Sequence, residues 1–170
     1  MLPETSVQTI FNHFCDYPTE EVHLRELSRR VRLTMPAIVR GVKILEKEGL
    51  VTVRRTKAWT MVKANREEKF RRLKRVHNLE RVYASGLVDE IKQAYRWPHA
   101  IILFGSYSRG EDTEQSDIDI AIIAGTPGTI TKKYKEALRR EVSLHHITMS
   151  RASPEFQTEL ANGVVLEGAL

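Results

Sequence analysis

Two apolar runs hinged on a Gly-Ser turn constrain the second half of this 170-residue chain more than any other feature. His99-Ala100-Ile101-Ile102-Leu103-Phe104 has the length and character of a buried strand, and Gly105-Ser106 stops it abruptly. Ten residues later, Ser116-Asp117-Ile118-Asp119-Ile120-Ala121-Ile122-Ile123 reads as a second strand. Ile118, Ile120 and Ile122 cannot all face water, so this strand is predicted to be internal. Side chains alternate along a strand, so Asp117 and Asp119 share one face. Their Cα atoms would be about 6.6 Å apart at ~3.3 Å per residue. Two carboxylates there repel each other and lose solvation unless a cation sits between them. Their reach suits one Mg²⁺ or two ions ~3.5–4 Å apart. Mg²⁺ prefers hard oxygen donors of this kind, with phosphate as a co-ligand. The Gly-Ser turn adds backbone N–H groups for phosphate. Gly105 has no side chain to block close approach, Ser106 adds a hydroxyl, and Arg109 adds a permanent charge.

Downstream, Thr131–Arg140 reads as a polar helix, Val142–Thr148 as a third strand, and Pro154–Leu160 as a last helix before GVVLEG. In the third strand, VSLHHIT, Ser143 and His145 share a face and His146 lies on the other. Neither face carries an Asp. Glu141, at the strand's edge, has the parity of Ser143 and His145 and can stand in for a carboxylate there. His145 can act as a general base, since imidazole titrates near neutrality; a strand histidine can equally be a hydrogen-bonded structural residue.

The segment ILFGSYSRGEDTEQSDIDIAII resembles the G-S-x10-D-x-D signature of the DNA-polymerase-β-like nucleotidyltransferase superfamily in its minimal form. The resemblance implies a small mixed sheet with helices on it. It also implies transfer of a nucleoside monophosphate from an NTP, ATP foremost, to a hydroxyl, with two Mg²⁺ ions and release of pyrophosphate. Gly105 and Ser106 would bind the triphosphate, and Asp117 and Asp119 the metals. The superfamily usually places a third carboxylate on the next core strand, and this chain has none within VSLHHIT. A domain this small lacks a separate nucleic-acid or small-substrate domain, so the acceptor is expected on a partner, a protein foremost; minimal members resembling it often pair with HEPN-type proteins in toxin–antitoxin modules. The helix and Gly-apolar-apolar-Leu ending also resemble theirs.

The first half has a different pattern. Val7, Ile10, Phe11 and Phe14 make one apolar helical stripe, with Ser6 as its expected N-cap. Tyr17-Pro18-Thr19 breaks it. A short helix is predicted from His23 to Val31, a turn at Arg32-Leu33-Thr34, and a third helix to about Glu48, closed by Gly49. LVTVRR and AWTMVKA then alternate around Thr56-Lys57 as a hairpin. The segment from Leu24 to Arg55 resembles the DNA-binding domains of prokaryotic winged-helix regulators. That resemblance implies a third helix in the major groove and a wing on the phosphates. Arg40, Lys43 and Lys47 on the helix and Arg54, Arg55 and Lys57 at the hairpin tip are then the DNA-contacting candidates. Dimerisation or protein interaction is the other use of such a module.

Between the halves, residues 65–97 read as a charged helical connector. His77-Asn78 is the expected interruption and Gly86 a weak point, and Trp97-Pro98 closes the segment. The expected organisation is therefore a two-domain α+β chain: a winged helix-turn-helix at 1–64, a connector at 65–97 that holds the two domains at a defined angle, and a nucleotidyltransferase domain at 98–170. Charge follows this division. Residues 1–98 carry 20 Lys and Arg against 12 Asp and Glu, whereas 99–170 carry 7 against 10. A basic half suits a polyanion such as DNA, and an acidic one suits metal ions. The single cysteine, Cys15, cannot form an internal disulfide, which points to a reducing, cytoplasmic setting. No signal peptide or membrane span is expected. Two functions fit: an active enzyme that nucleotidylates a partner protein, or a DNA-binding regulator whose second domain binds nucleotide or dimerises without turnover; the connector can supply the interface of a homodimer.

Overall fold

The structure is a computed structural model that describes residues 5–130, 134–148 and 153–169. It divides into two units, residues 1–74 and 75–170. The expected connector is thus shared out, with 65–74 in the first unit and 75–97 in the second.

The first unit begins with α1 (Ser6–Asp16), β1 (Glu21–His23) and α2 (Leu24–Val31). It continues with α3 (Met35–Lys47), β2 (Val51–Arg55) and β3 (Thr60–Ala64). The cap of α1 is Thr5, one residue before the expected Ser6; its side chain accepts from the Gln8 N–H at 3.2 Å. β1 is a short strand that the sequence pattern does not announce. It completes an antiparallel sheet in the order β1-β3-β2, with Val22 and Val53 both opposite Val62. Ile10, Phe14, Leu27, Ile38 and Val62 are fully buried at the centre of this unit. Helices α1 and α3 approach closely at Gly41, where a Cβ would lie 2.5 Å from Ile10 Cδ1.

Helix α4 (Glu68–Ala84) is continuous through His77 and Asn78, so the expected interruption there is absent. The reason is burial: Asn78 is an inward-facing residue and caps nothing. The break falls at Gly86 instead, which has φ +76° and precedes α5 (Leu87–Ala94).

The second unit adds β4 (Ala100–Phe104), α6 (Gly105–Arg109), β5 (Ile118–Ile123), α7 (Lys135–Leu138), β6 (Val142–Ile147), α8 (Pro154–Ala161) and β7 (Val164–Gly168). Of the polar helix expected at 131–140, residues 131–133 lie outside the described residues, and α7 is a single turn. GVVLEG, read only as an ending, supplies a fourth strand. The mixed sheet has the order β6-β5-β4-β7, with β4 antiparallel to both neighbours and β5 parallel to β6. Ile118, Ile120 and Ile122 are completely buried, as the alternation predicts. With Ile101 and Leu103 they pack against Val82, Leu87, Val88 and Ile91. The opposite face, Ala100, Ile102, Phe104 and Ala121, is covered by Leu160 and Phe156 of α8. Asp119 belongs to this second face by the same parity.

Candidate active site

Strand order brings the chemistry together. Because β4 and β5 run antiparallel, the end of β4 lies beside the start of β5, and Phe104 stands opposite Asp119. β6 runs parallel to β5, so Asp119 is opposite Ser143 and Ala121 is opposite His145. Gly105, Asp117, Asp119, Ser143 and His145 therefore meet at one end and on one face of the sheet.

Gly105 opens α6 with φ +72°, a conformation that costs a residue with a Cβ. A Cβ there would lie 2.8 Å from Asp119 Oδ2, so the missing side chain is what allows the turn to approach the carboxylate. The first N–H groups of a helix have no intrahelical acceptor, and Ser106, partly buried, stands among them. Asp117 lies just before β5, not within it, and is exposed, whereas Asp119 is half-buried. Ser143 Oγ donates to Asp117 Oδ2 at 3.4 Å, and His145 Nε2 donates to Asp119 Oδ1 at 3.3 Å. Phe104 backs the site, edge-on to His145 at 5.2 Å and to Phe156 at 5.5 Å.

Other candidates from the sequence are placed differently. Arg109 Nε donates to Glu111 Oε2 at 2.8 Å. Exposed Glu141 accepts a hydrogen bond from Lys135 Nζ. His146, on the other side of β6, donates to the Ala124 carbonyl at 3.1 Å. In the first unit, Arg40, Lys43 and Lys47 are exposed on α3 and Lys57 is exposed beyond β2. Arg54 is 2.8 Å from Glu21, and Arg55 makes a two-pronged pair with Glu46 at 2.8 and 2.5 Å. That guanidinium holds the Glu46 carboxyl below the usual carboxylate range.

Sequence reasoning missed the residues that hold the Gly-Ser loop. Asn78 Nδ2 donates to the Tyr107 carbonyl at 2.9 Å and to Asp112 Oδ1 at 2.8 Å. Arg140 donates to Asp112 Oδ2 at 3.5 Å. The available signal was Asn78 standing one helical turn before Val82, on the buried side of α4.

Among the described residues, no group of three or more His, Cys, Asp or Glu forms a ready-made metal cage. The two carboxylates nonetheless fit a divalent cation. They are hard oxygen donors beside a cradle that a Cβ at position 105 would fill, and such an ion completes its shell with water and phosphate oxygens.

Residues 88–167 match the family model described as "Polymerase beta, Nucleotidyltransferase". This part of the chain is a nucleotidyltransferase-like enzyme domain. A relative from Methanocaldococcus jannaschii, named "Putative protein adenylyltransferase MJ0604", is 57% identical over 37 residues. The match covers 21% of this chain and 37% of the relative's length. No solved structure matches the chain. Among the described residues, no helix is long and apolar enough to cross a membrane.

Proposed function

We propose that the protein transfers a nucleoside monophosphate from an NTP, ATP in the first place, to a hydroxyl on a partner protein, with Mg²⁺, while its first unit binds DNA as a winged helix-turn-helix. The observation that carries the enzymatic reading is the close approach of Gly105 to Asp119, with Asp117 adjoining. The relative's name supports adenylyl transfer to a protein.

In this reading the α6 turn and Ser106 hold the triphosphate, and Asp117 and Asp119 hold the divalent ions. Bound Mg²⁺ neutralises phosphate charge and makes the acceptor hydroxyl more acidic. Ser143 and His145 orient the two carboxylates through their hydrogen bonds. His145 is also the better placed of the two candidate bases, because Glu141 is tied to Lys135 while the His145 side chain is 41% exposed beside Asp119. His145→Gln retains an N–H donor for Asp119 but loses the basic nitrogen. It is expected to slow transfer by about 100-fold, measured at saturating NTP; near-normal turnover assigns His145 to orientation alone.

The test of the whole reading is label transfer. The protein is incubated with Mg²⁺ and each α-labelled NTP, with and without candidate acceptors, a HEPN-type protein first among them. Transfer that disappears in the Asp117→Ala/Asp119→Ala variant supports the enzyme. One observation favours a second reading: β6 carries Ser143 and His145, not a third carboxylate, on the site's face. Tight NTP binding with no transfer to any partner identifies a regulator whose second unit senses nucleotide.

The DNA-binding reading draws on the helix order of the first unit, its β1-β3-β2 sheet and the exposed cations of α3. Arg54 and Arg55 are engaged with acidic residues, so Arg40, Lys43, Lys47 and Lys57 are the stronger phosphate candidates. Arg40→Ala and Lys43→Ala are each expected to weaken binding to all sequences alike and to lower the salt slope by about 1. Affinity that is independent of salt contradicts the assignment.

A further inference from the structure

Residues 105–112 form a loop whose shape no long element supplies. α6 has five residues, too few to be stable by itself, and ends on Gly110 with φ +71°. Polar contacts fix it. Ser108 Oγ donates to the Gly105 carbonyl at 2.8 Å, and the Glu111 N–H donates to the Ser106 carbonyl at 3.0 Å. Asn78 reaches in from α4 and bonds both Tyr107, directly after the Gly-Ser pair, and Asp112, at the far end of the loop. Asn78 and Asp112 are 2% and 1% exposed. Arg140, 5% exposed, reaches Asp112 from the lead-in to β6.

The chemistry of this spot is restrictive. Both groups facing Asn78 are acceptors, a carbonyl oxygen and a carboxylate oxygen. The side chain between them must offer two N–H bonds, and an amide does so without adding a charge. A hydroxyl supplies one donor only. A lysine or arginine would bury a second cation beside Arg140. An Asp at 78 supplies none and sets a second carboxylate against Asp112.

We propose that Asn78 is a positioning residue for nucleotide binding. Its amide ties Tyr107, next to the Gly-Ser pair, to Asp112 at the far end of the loop, and so keeps the Gly105-Ser106 turn in its place beside Asp119. Asn78 touches no substrate and acts through the turn. The inference rests on the nucleotide-binding reading given above. It also separates two halves of the site. Asp119 is held by β5 and His145, and Asp117 by Ser143, so metal binding by the two carboxylates is expected not to depend on Asn78.

The experiment compares Asn78→Ala and Asn78→Asp with the unaltered full chain. One measurement is calorimetric binding of the Mg²⁺ complex of a non-cleavable α,β-methylene ATP analogue. The other is binding of Mn²⁺ alone, followed by electron paramagnetic resonance. The analogue's dissociation constant is expected to rise by about ten-fold or more, while Mn²⁺ affinity stays within about two-fold. The isosteric Asp variant decides the matter if the Ala variant fails to fold. Equal losses of both ligands, or loss of the fold in both variants, assign Asn78 a purely structural role and overturn the proposal. Analogue binding that neither variant weakens overturns it as well. If the unaltered chain does not bind the analogue, the nucleotide reading itself fails and takes this inference with it.

Discussion

Asp119→Asn is expected to lower nucleotidyl transfer by about a thousand-fold or more while leaving the protein folded. The substitution keeps the size of the side chain, and Asn Oδ1 can still accept from His145 Nε2, now 3.3 Å from the carboxylate. What is lost is the negative charge, and with it the oxygen donor that a divalent ion competes for. Asp119 is half-buried, opposite Phe104 on β4 and Ser143 on β6, and neither of those residues offers a carboxylate in its place. Asp117, exposed and ahead of the strand, cannot by itself fix an ion in line with a triphosphate. The check is the rate of label transfer from saturating α-labelled ATP, with the thermal unfolding curve as the control for folding. A variant that unfolds like the original and still transfers at more than a tenth of its rate removes Asp119 from the chemistry.

Gly105→Ala is expected to damage function more than stability. Holding an alanine at φ +72° costs about 1–2 kcal/mol. The new Cβ also lands 2.8 Å from Asp119 Oδ2, which is the far end of a side chain that can rotate away. Stability therefore falls by little more than the backbone term, and the unfolding midpoint drops by several degrees. The carboxylate, however, gains its relief by leaving the position that suits a metal ion and breaking its bond to His145. Metal-dependent nucleotide binding is expected to fall by at least about ten-fold, read by titrating the ATP analogue against the variant at fixed Mg²⁺. Unchanged affinity in a folded Gly105→Ala protein means that the turn and Asp119 do not share a ligand.

The pieces of this site differ in how far the sequence discloses them, and the reason is geometric. The Gly-Ser turn and the Asp-x-Asp strand are local patterns. Strand parity alone puts Asp117 and Asp119 on one side, and burial of Ile118, Ile120 and Ile122 leaves no other choice of face. The partners of those carboxylates depend on sheet order, which is non-local. Parity within VSLHHIT pairs Ser143 with His145, but only the parallel register of β6 on β5 brings Ser143 to Asp117 and His145 to Asp119. Asn78 was hidden differently. Asparagine favours caps and turns, so beside a histidine it reads as a helix boundary. Tertiary contact overrides that propensity, because two acceptors 29 and 34 residues away need a neutral double donor. The short strand β1 escaped for a third reason: three residues carry too little periodicity to be distinguished from loop.

The return of β7 to the sheet has a consequence for how the edge of β4 is shielded from other strands. β4 is buried along its whole length, with Ile101, Ile102 and Leu103 at its centre, and one of its two edges is closed by β7. The Tyr83 hydroxyl pins that closing strand by donating to the Leu166 carbonyl at 3.0 Å. β7 is the last strand of the sheet in chain order, so during synthesis β4 waits with an open row of backbone donors and acceptors until residues 164–168 have emerged. A chain cut or terminated before Val164 would keep Gly105, Asp117 and Asp119. It would also expose the edge of an apolar strand that templates pairing with other copies. Removal of residues 164–168 is therefore expected to cause self-association of the chain even though Gly105, Asp117 and Asp119 remain.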